Sequence, residues 1–408
     1  MKKFFILLYA VGLCSCQGNG VMAPVTLKLS PKQEQLTQKS NDFSYSLLKT
    51  VYENETNAEN VIISPLSASM MLGMLMNGAD GQTLAQMKKT FDFSDESMDE
   101  VNDYYKTLIN ALPRLDKSNT IKLANSLWVA ENCELLSDFK KTNKESFNAT
   151  IKNVDFSDKR TAETINRWAF DNTNKMIDQV VTPEDLYKAR LVLANALYYK
   201  GIWKEKFDKA STSKQHFTTL RNNTIEVDRM HQTDDFGYAD LKYAKMLEMN
   251  YKEGMYCMDV ILPSNESTLS EVIDTLAAGE WGNFVNALHT CEVSVGMPKF
   301  KLGYDCELNT PLQKLGMLEV FTTNADLSKV SVESLYLSKV KQTCKLNVDE
   351  EGTEAAAVTV GIMPPTAPPP SQRKEFYVDR PFICIIREKQ YGTILFMAAV
   401  GNVLEQDN

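Results

Sequence analysis

Val348-Asp349-Glu350-Glu351-Gly352-Thr353-Glu354-Ala355-Ala356-Ala357-Val358-Thr359-Val360 is the stretch on which this chain turns. Three alanines sit among β-branched residues, and a proline-rich loop from Met363 to Ser371 follows directly. β-branched residues fit a pleated sheet, and small ones let a strand enter a packed sheet without a clash. Side chains alternate faces along a strand. With Thr353 facing inward, Ala355, Ala357 and Thr359 share its face, and all four are small. Glu354 falls on the other face with Ala356, Val358 and Val360. The inward face therefore carries no charge, which would cost several kcal/mol if buried unpaired. Gly352 suits a hinge, because it adopts dihedrals that other residues resist. A spare strand stored beside an exposed loop describes a trap, not a catalyst. The same residues also suit an Ala-rich helical turn in a folded-back loop.

Working outward, the chain has 408 residues, 43% of them apolar and 24% charged. That is the balance of a soluble globular protein with a sizeable core. The net charge of −9, with no basic block, excludes nucleic acid as the main partner. No internal repeat or Gly-Ser linker divides residues 42–405, so they read as one domain.

Lys2 and Lys3 precede the apolar run Phe4 to Leu13, and Cys14 and Cys16 follow. The run is too short to span a bilayer, so residues 1–15 read as an export signal. Leu13-Cys14-Ser15-Cys16 resembles a bacterial lipobox, with small Ser15 before the expected lipidation site, Cys16. Cys14 is the second choice, and an ordinary secretory signal is the other reading. One lipidated residue would hold the protein to a membrane surface without a spanning helix. The expected location is the cell envelope, periplasmic or cell-surface, and otherwise the medium. Residues 16–41 lack apolar periodicity before Phe43 and read as a tether, leaving 42–408 as the domain.

Cys133, Cys257, Cys291, Cys306, Cys344 and Cys384 remain, none in a CxxC pair. Cys257, Cys344 and Cys384 lie in apolar runs and read as buried thiols. Export to an oxidising compartment leaves a disulfide open. The sequons at Asn54, Asn148, Asn222 and Asn265 would matter only in a eukaryotic secretory pathway.

Apolar spacing predicts helices over Phe43–Val51, Leu66–Met76, Thr83–Phe91, Met98–Leu112 and Ala162–Ile177. Strand patterns cover Ile121–Val129, Leu191–Tyr199, Met255–Leu262, Cys291–Val295, Leu335–Val348, Phe382–Ile386 and Thr393–Val400. Helices first and strands later indicate an α+β fold with large sheets. The acidic run Asp92 to Glu100 lacks calcium-loop alternation and reads as a solvated helix start. His216, His231 and His289 sit in no nucleophile motif, and there is no GxSxG, HExxH or phosphate-cradling GxxxxGK. The chain is therefore not expected to be an enzyme, and no cofactor or metal is implied.

From about Asn41 to Glu405 the chain resembles a serpin. Phe376-Tyr377-Val378-Asp379-Arg380-Pro381-Phe382-Ile383-Cys384 fits the family's signature, and Gly392 to Met397 reads like its final strand. Asn60 to Ser67 looks like the start of its second helix. Asn195 to Trp203 resembles the third strand of its main sheet. Met297-Pro298-Lys299-Phe300 and Leu337-Ser338-Lys339-Val340 fit as well. The resemblance implies helices packed around a large mixed main sheet and smaller sheets, with an exposed reactive loop. It also implies a monomeric suicide inhibitor that forms a covalent 1:1 complex with a target protease. The protease cuts the loop, and the cut loop inserts into the main sheet with the acyl-enzyme attached. Such a fold is kinetically rather than thermodynamically stable.

By the family's spacing, the hinge runs from Glu350 to Thr359. The attacked bond follows the seventeenth residue counted from Glu350, which gives Thr366-Ala367. Threonine before that bond suits an elastase-like or subtilisin-like protease. Arg373-Lys374 would attract trypsin but lies too far along. Pro364 and Pro365 would each remove a ladder hydrogen bond after insertion, at the far end of the strand. Ser64, Pro65, Ser67 and Asn195 match the family's sheet-opening cluster, with Gln342 where histidine is common. A glutamine amide both donates and accepts. Trp203 matches the site where the loop first enters. A non-inhibitory serpin acting as a binding or scaffold protein, and an inhibitor of cysteine proteases, are the competing readings.

Overall fold

Ser30 caps the first helix. Its hydroxyl accepts from the Gln33 amide, and the Gln33 side chain accepts from the Ser30 amide. This capping box, with Pro31 in the first turn, opens helix α1 (Pro31–Asn54). The computed structural model describes residues 26–353 and 373–404. Helix α1 starts at Pro31, well before the expected Phe43, because its early buried side is polar. Gln33 donates to Asp103 and Thr107, and Thr37 donates back to the Gln33 carbonyl. Residues 31–41, expected as tether, therefore belong to the folded body, anchored also by buried Leu27 and Leu36.

The further helices are α2 (Pro65–Met76), α3 (Gly81–Thr90), α4 (Met98–Ala111), α5 (Ser137–Phe147), α6 (Arg160–Asn172), α7 (Leu269–Ala277), α8 (Trp281–Ala287) and α9 (Asn309–Lys314). The strands are β1 (Asn60–Ile63), β2 (Thr120–Ala130), β3 (Thr150–Val154), β4 (Leu191–Ile202), β5 (Ser213–Thr218), β6 (Thr224–Asp240), β7 (Ala244–Asn250), β8 (Tyr256–Pro263), β9 (His289–Pro298), β10 (Phe300–Glu307), β11 (Lys339–Asp349), β12 (Gly352–Thr353), β13 (Lys374–Tyr377), β14 (Phe382–Glu388) and β15 (Ile394–Val400).

Two sheets result. A mixed sheet of six strands has the order β10-β11-β12-β4-β2-β3. The other strands join into one continuous sheet of nine, β1-β15-β14-β8-β7-β6-β9-β13 with β5 on β6, rather than several separate small ones. β6 makes the join, pairing with β9 along Arg229–Tyr238 and with β7 through Gly237–Asp240. Its largely polar sequence hides it from apolar patterning.

Helix α2 is apolar all round, and every residue is buried, as expected of a central helix. A Cβ at Gly73 would sit 2.8 Å from the Tyr105 ring and 3.2 Å from Phe147, so no larger residue fits that packing. Glu96, expected in a solvated helix start, is buried instead and pairs with Lys32 and Lys39 of α1. Helix α4 begins only after Ser97, which caps it by accepting from Glu100 N. A second apolar cluster lies under α6, where Trp128, Ile165, Ala169, Val192 and Ala194 meet. Ile177 is buried there but lies beyond the helix, which ends at Asn172 because the chain turns through left-handed Asn174 and Lys175.

Candidate functional site

β4 and β11 run parallel and pair only at their lower ends, Val192–Ala194 with Lys339–Lys341. Above that they diverge, and β12 fills the gap at the top. It is antiparallel to both neighbours, with Thr353 opposite Val348 and Gly201, and Gly352 opposite Asp349 and Ile202. Between these contacts lies a slot. Leu197, Tyr198, Tyr199, Lys345, Asn347 and Thr353 line a small cleft within it. The Asn347 side-chain oxygen is buried there with no hydrogen-bond partner among the described residues.

The turn into β12 is built by local chemistry. Asp349 Oδ1 accepts from Glu351 N at 2.8 Å and from Gly352 N at 3.3 Å. Gly352 is required by close approach more than by dihedral freedom. A Cβ there would lie 2.0 Å from the Gly201 carbonyl oxygen. Gly201 is confined in turn, since its Cβ would meet the Tyr251 ring at 2.5 Å.

Thr353 is only 2% exposed, and its hydroxyl lies 2.7 Å from the Tyr251 hydroxyl. Tyr251 stacks on Trp203 with centroids 4.8 Å apart. Trp203 Nε1 donates to the Asp349 carbonyl at 2.9 Å, and its amide donates to the Glu351 carbonyl at 3.0 Å. Glu350 is buried and accepts from Lys299 at 2.9 Å and Thr212 at 2.8 Å. Glu351 pairs with Lys206 at 2.5 Å and Lys209 at 3.3 Å. Burial pushes the Glu350 carboxyl up, but the Lys299 ammonium outweighs it and holds the group below its ordinary range. The Lys206 hydrogen bond does the same for Glu351, against a smaller effect of burial.

Below the slot, the sheet-opening residues divide into two groups. Gln342 Oε1 accepts from Ser64 N at 2.8 Å, and its Nε2 donates to the Ser64 carbonyl at 2.9 Å. Ser64 Oγ lies 2.8 Å from both Ser67 Oγ and the Leu395 carbonyl, with Pro65 in the first turn of α2. Asn195 is not in this group. Its amide donates to Asn125 at 2.7 Å, and Asn125 donates to the Phe147 carbonyl.

The segment Phe376–Phe382 staples β13 to β14. Phe376, Val378 and Phe382 are buried, and Phe382 packs edge-on to Phe217. Arg380 donates to the Pro263 carbonyl at 2.7 Å and pairs with Asp379, while Pro381 leads into β14.

Thr366, Ala367, Cys14, Cys16 and the hinge residues Glu354, Ala355, Ala356, Ala357, Val358 and Thr359 lie outside the described residues. The six cysteines Cys133, Cys257, Cys291, Cys306, Cys344 and Cys384 are free thiols, all buried except half-buried Cys291. Glu248, Cys257 and Asp259 come together, but Arg387 holds both carboxylates at 2.6 Å, so the local positive charge is supplied by the protein. His216, His231 and His289 lie on β5, β6 and β9.

Sequence reasoning missed Tyr251, Lys206, Lys209, Thr212, Lys299 and Asn125. None carries a local signal, since each meets its partner only across strands distant in sequence, as Tyr251 meets Thr353.

The chain matches the profile of the family described as Serpin (serine protease inhibitor) over residues 38–403. It is 34% identical to leukocyte elastase inhibitor A of Rattus norvegicus over 382 residues, covering 90% of this chain and 99% of that one. Tengpin, a thermophilic serpin solved in its native state, superposes with a TM-score of 0.83 at 32% identity, over 94% of this chain and 97% of that one. Human thyroxine-binding globulin in complex with thyroxine gives a TM-score of 0.82 at 25% identity, over 92% of this chain and 100% of that one. A profile spanning nearly the whole chain, a relative at this identity and a hinge seated between diverging strands agree: the chain belongs to the serpin family.

Proposed function

We propose that this protein is a suicide inhibitor of serine proteases with elastase-like or subtilisin-like specificity. A protease would cut Thr366-Ala367 and remain as an acyl-enzyme, while the freed segment inserts between β4 and β11. The observation that carries this is β12, a two-residue strand seated at the head of a slot that no other described residue fills, and antiparallel to both walls.

Continuing that register one residue at a time gives a specific fit. Glu354 would lie between Lys200 and Asn347, so its charge meets a cation and an amide. Ala355, Ala357 and Gly361 would face the core beside Tyr199, Leu197 and Leu193. Thr359 would come between Asn195 and Gln342. Val360 and Ile362 would lie beside Ala194 and Val192, in the apolar cluster under α6. Met363 would reach Leu191, the first residue of β4, so Pro364 and Pro365 fall past the ladder and cost it no hydrogen bond.

Similarity to leukocyte elastase inhibitors supports the specificity. The likeness to thyroxine-binding globulin, by its name a binder of thyroxine, favours the non-inhibitory reading as second. Inhibition of a cysteine protease would use the same insertion. The test is incubation with pancreatic elastase and with subtilisin, read on a denaturing gel and by mass spectrometry. A stable high-mass 1:1 complex and a released peptide starting at Ala367 are expected. Clean cleavage without complex by both enzymes would overturn the proposal. We further propose that the chain acts as a monomer held to a membrane surface through a lipid on Cys16.

A further inference from the structure

The segment between β12 and β13 carries a second proteolytic question. Between Lys345 and Arg373 the chain has no lysine or arginine. Trypsin-like proteases therefore find no site in this segment until its end, where Arg373-Lys374 offers two basic residues together. Cleavage there would cut the chain seven residues beyond the expected reactive bond and destroy the protein as a trap.

The structure ties this site down on both sides of its peptide bond. Arg373 Nε donates to Glu292 Oε2 of β9 at 2.9 Å. Lys374 is the first residue of β13 and pairs in parallel with Val293, the residue after Glu292. Its ammonium lies 6.0 Å from the Tyr238 ring centroid. The rest of β13 is anchored by buried Phe376, by the Ser294–Tyr377 hydroxyl contact at 2.9 Å and by Val378 N donating to the Gly296 carbonyl. A trypsin-like protease needs the arginine side chain in its own acidic pocket and an extended, unpaired backbone across its cleft. Both demands conflict with this arrangement. The guanidinium already has a carboxylate partner, and the leaving side of the bond is already strand.

We propose that Glu292 is a specificity-determining residue that withholds Arg373 from trypsin-like proteases. Between β12 and β13 the sequence then offers trypsin-like proteases no basic residue except the paired Arg373. The consequence for inhibition rests on the reading above, but the protection itself does not.

The test uses the full chain and catalytic amounts of trypsin, following the fragment that begins at Lys374 by mass spectrometry. A synthetic peptide spanning residues 366–380 gives the unprotected rate. The native chain should be cut at this bond slower than the peptide by about tenfold or more, because cleavage tracks the open population of a paired strand. Glu292→Gln should speed that cleavage about threefold, the scale of one partly exposed ion pair, with other tryptic cuts unchanged. High salt should erase most of the difference between the two proteins, once each is normalised to the peptide. Equal rates for native and variant chains, or a native chain cut as fast as the peptide, would overturn the proposal. The comparison with the peptide needs no variant, so it decides even if Glu292→Gln misfolds. Elastase complex formation, measured on the same preparation, reports separately on the inhibitory reading.

Discussion

Thr353 holds the hinge through one oxygen atom, the hydroxyl that meets Tyr251 at 2.7 Å. Its side chain is buried beside a stacked Tyr251–Trp203 pair, so the pocket accepts a small polar group and nothing larger. Thr353→Arg would force a charge into this place, at a cost of several kcal/mol unless the hinge comes out of the sheet. The expected result is a protein that elastase cleaves normally but that forms less than about a tenth of the complex. The ratio of complex to cleaved product on a gel measures it, and an unchanged ratio would sink the insertion model. Other residues show how far single positions can be read. Gln342 was legible as a group that both donates and accepts, and it does both, to the Ser64 backbone. Asn195 was expected in the same cluster, but its partner is Asn125, which no spacing along the chain points to.

At the scale of elements, the turn joining β11 to β12 is held by charge as well as by pairing. Glu350 and Glu351 have carboxyl groups depressed by their lysine partners. A depressed carboxyl stabilises the folded arrangement above its unfolded value, near pH 4.3, and that stability is lost as pH falls through the folded value. Asp349, pushed up by burial, works in the opposite direction. Hydrogen exchange at the Gly352 and Thr353 amides, corrected for intrinsic rate, should therefore show the hinge loosening as pH drops from about 5 to 3. The double variant Glu350→Gln, Glu351→Gln keeps Asp349 and should lose the loosening. Identical profiles for both proteins would show that the ion pairs do not hold the hinge. Strand limits illustrate what pattern alone provides. β14 and β15 are apolar runs buried on both faces and were readable almost to the residue. The polar turns of α1 and the whole of β6 were not: early α1 satisfies much of its buried side with hydrogen bonds, and in β6 the buried Val227, Met230, Phe236 and Tyr238 are scattered among polar residues without regular alternation.

For the whole molecule, one membrane-facing prediction remains. Cys16→Ala should move the protein from the membrane fraction to the soluble fraction. Unchanged fractionation would point to Cys14 or to simple export. Among the described residues no helix is long and apolar enough to cross a membrane, so any attachment through them would need another means. The sequence by itself determined the fold class, the signature segment, the small size of the residues in the stretch after Thr353 and the position of the glycine before it. These rest on local alternation, residue size and composition, which survive in one dimension. The tertiary structure alone decided that β4 and β11 part above Ala194 and Lys341, that Thr353 is already seated between them, and that three lysines from two separate segments grip Glu350 and Glu351. Those facts depend on partners far apart in the chain, and the energies that set them arise only when packing removes the groups from water.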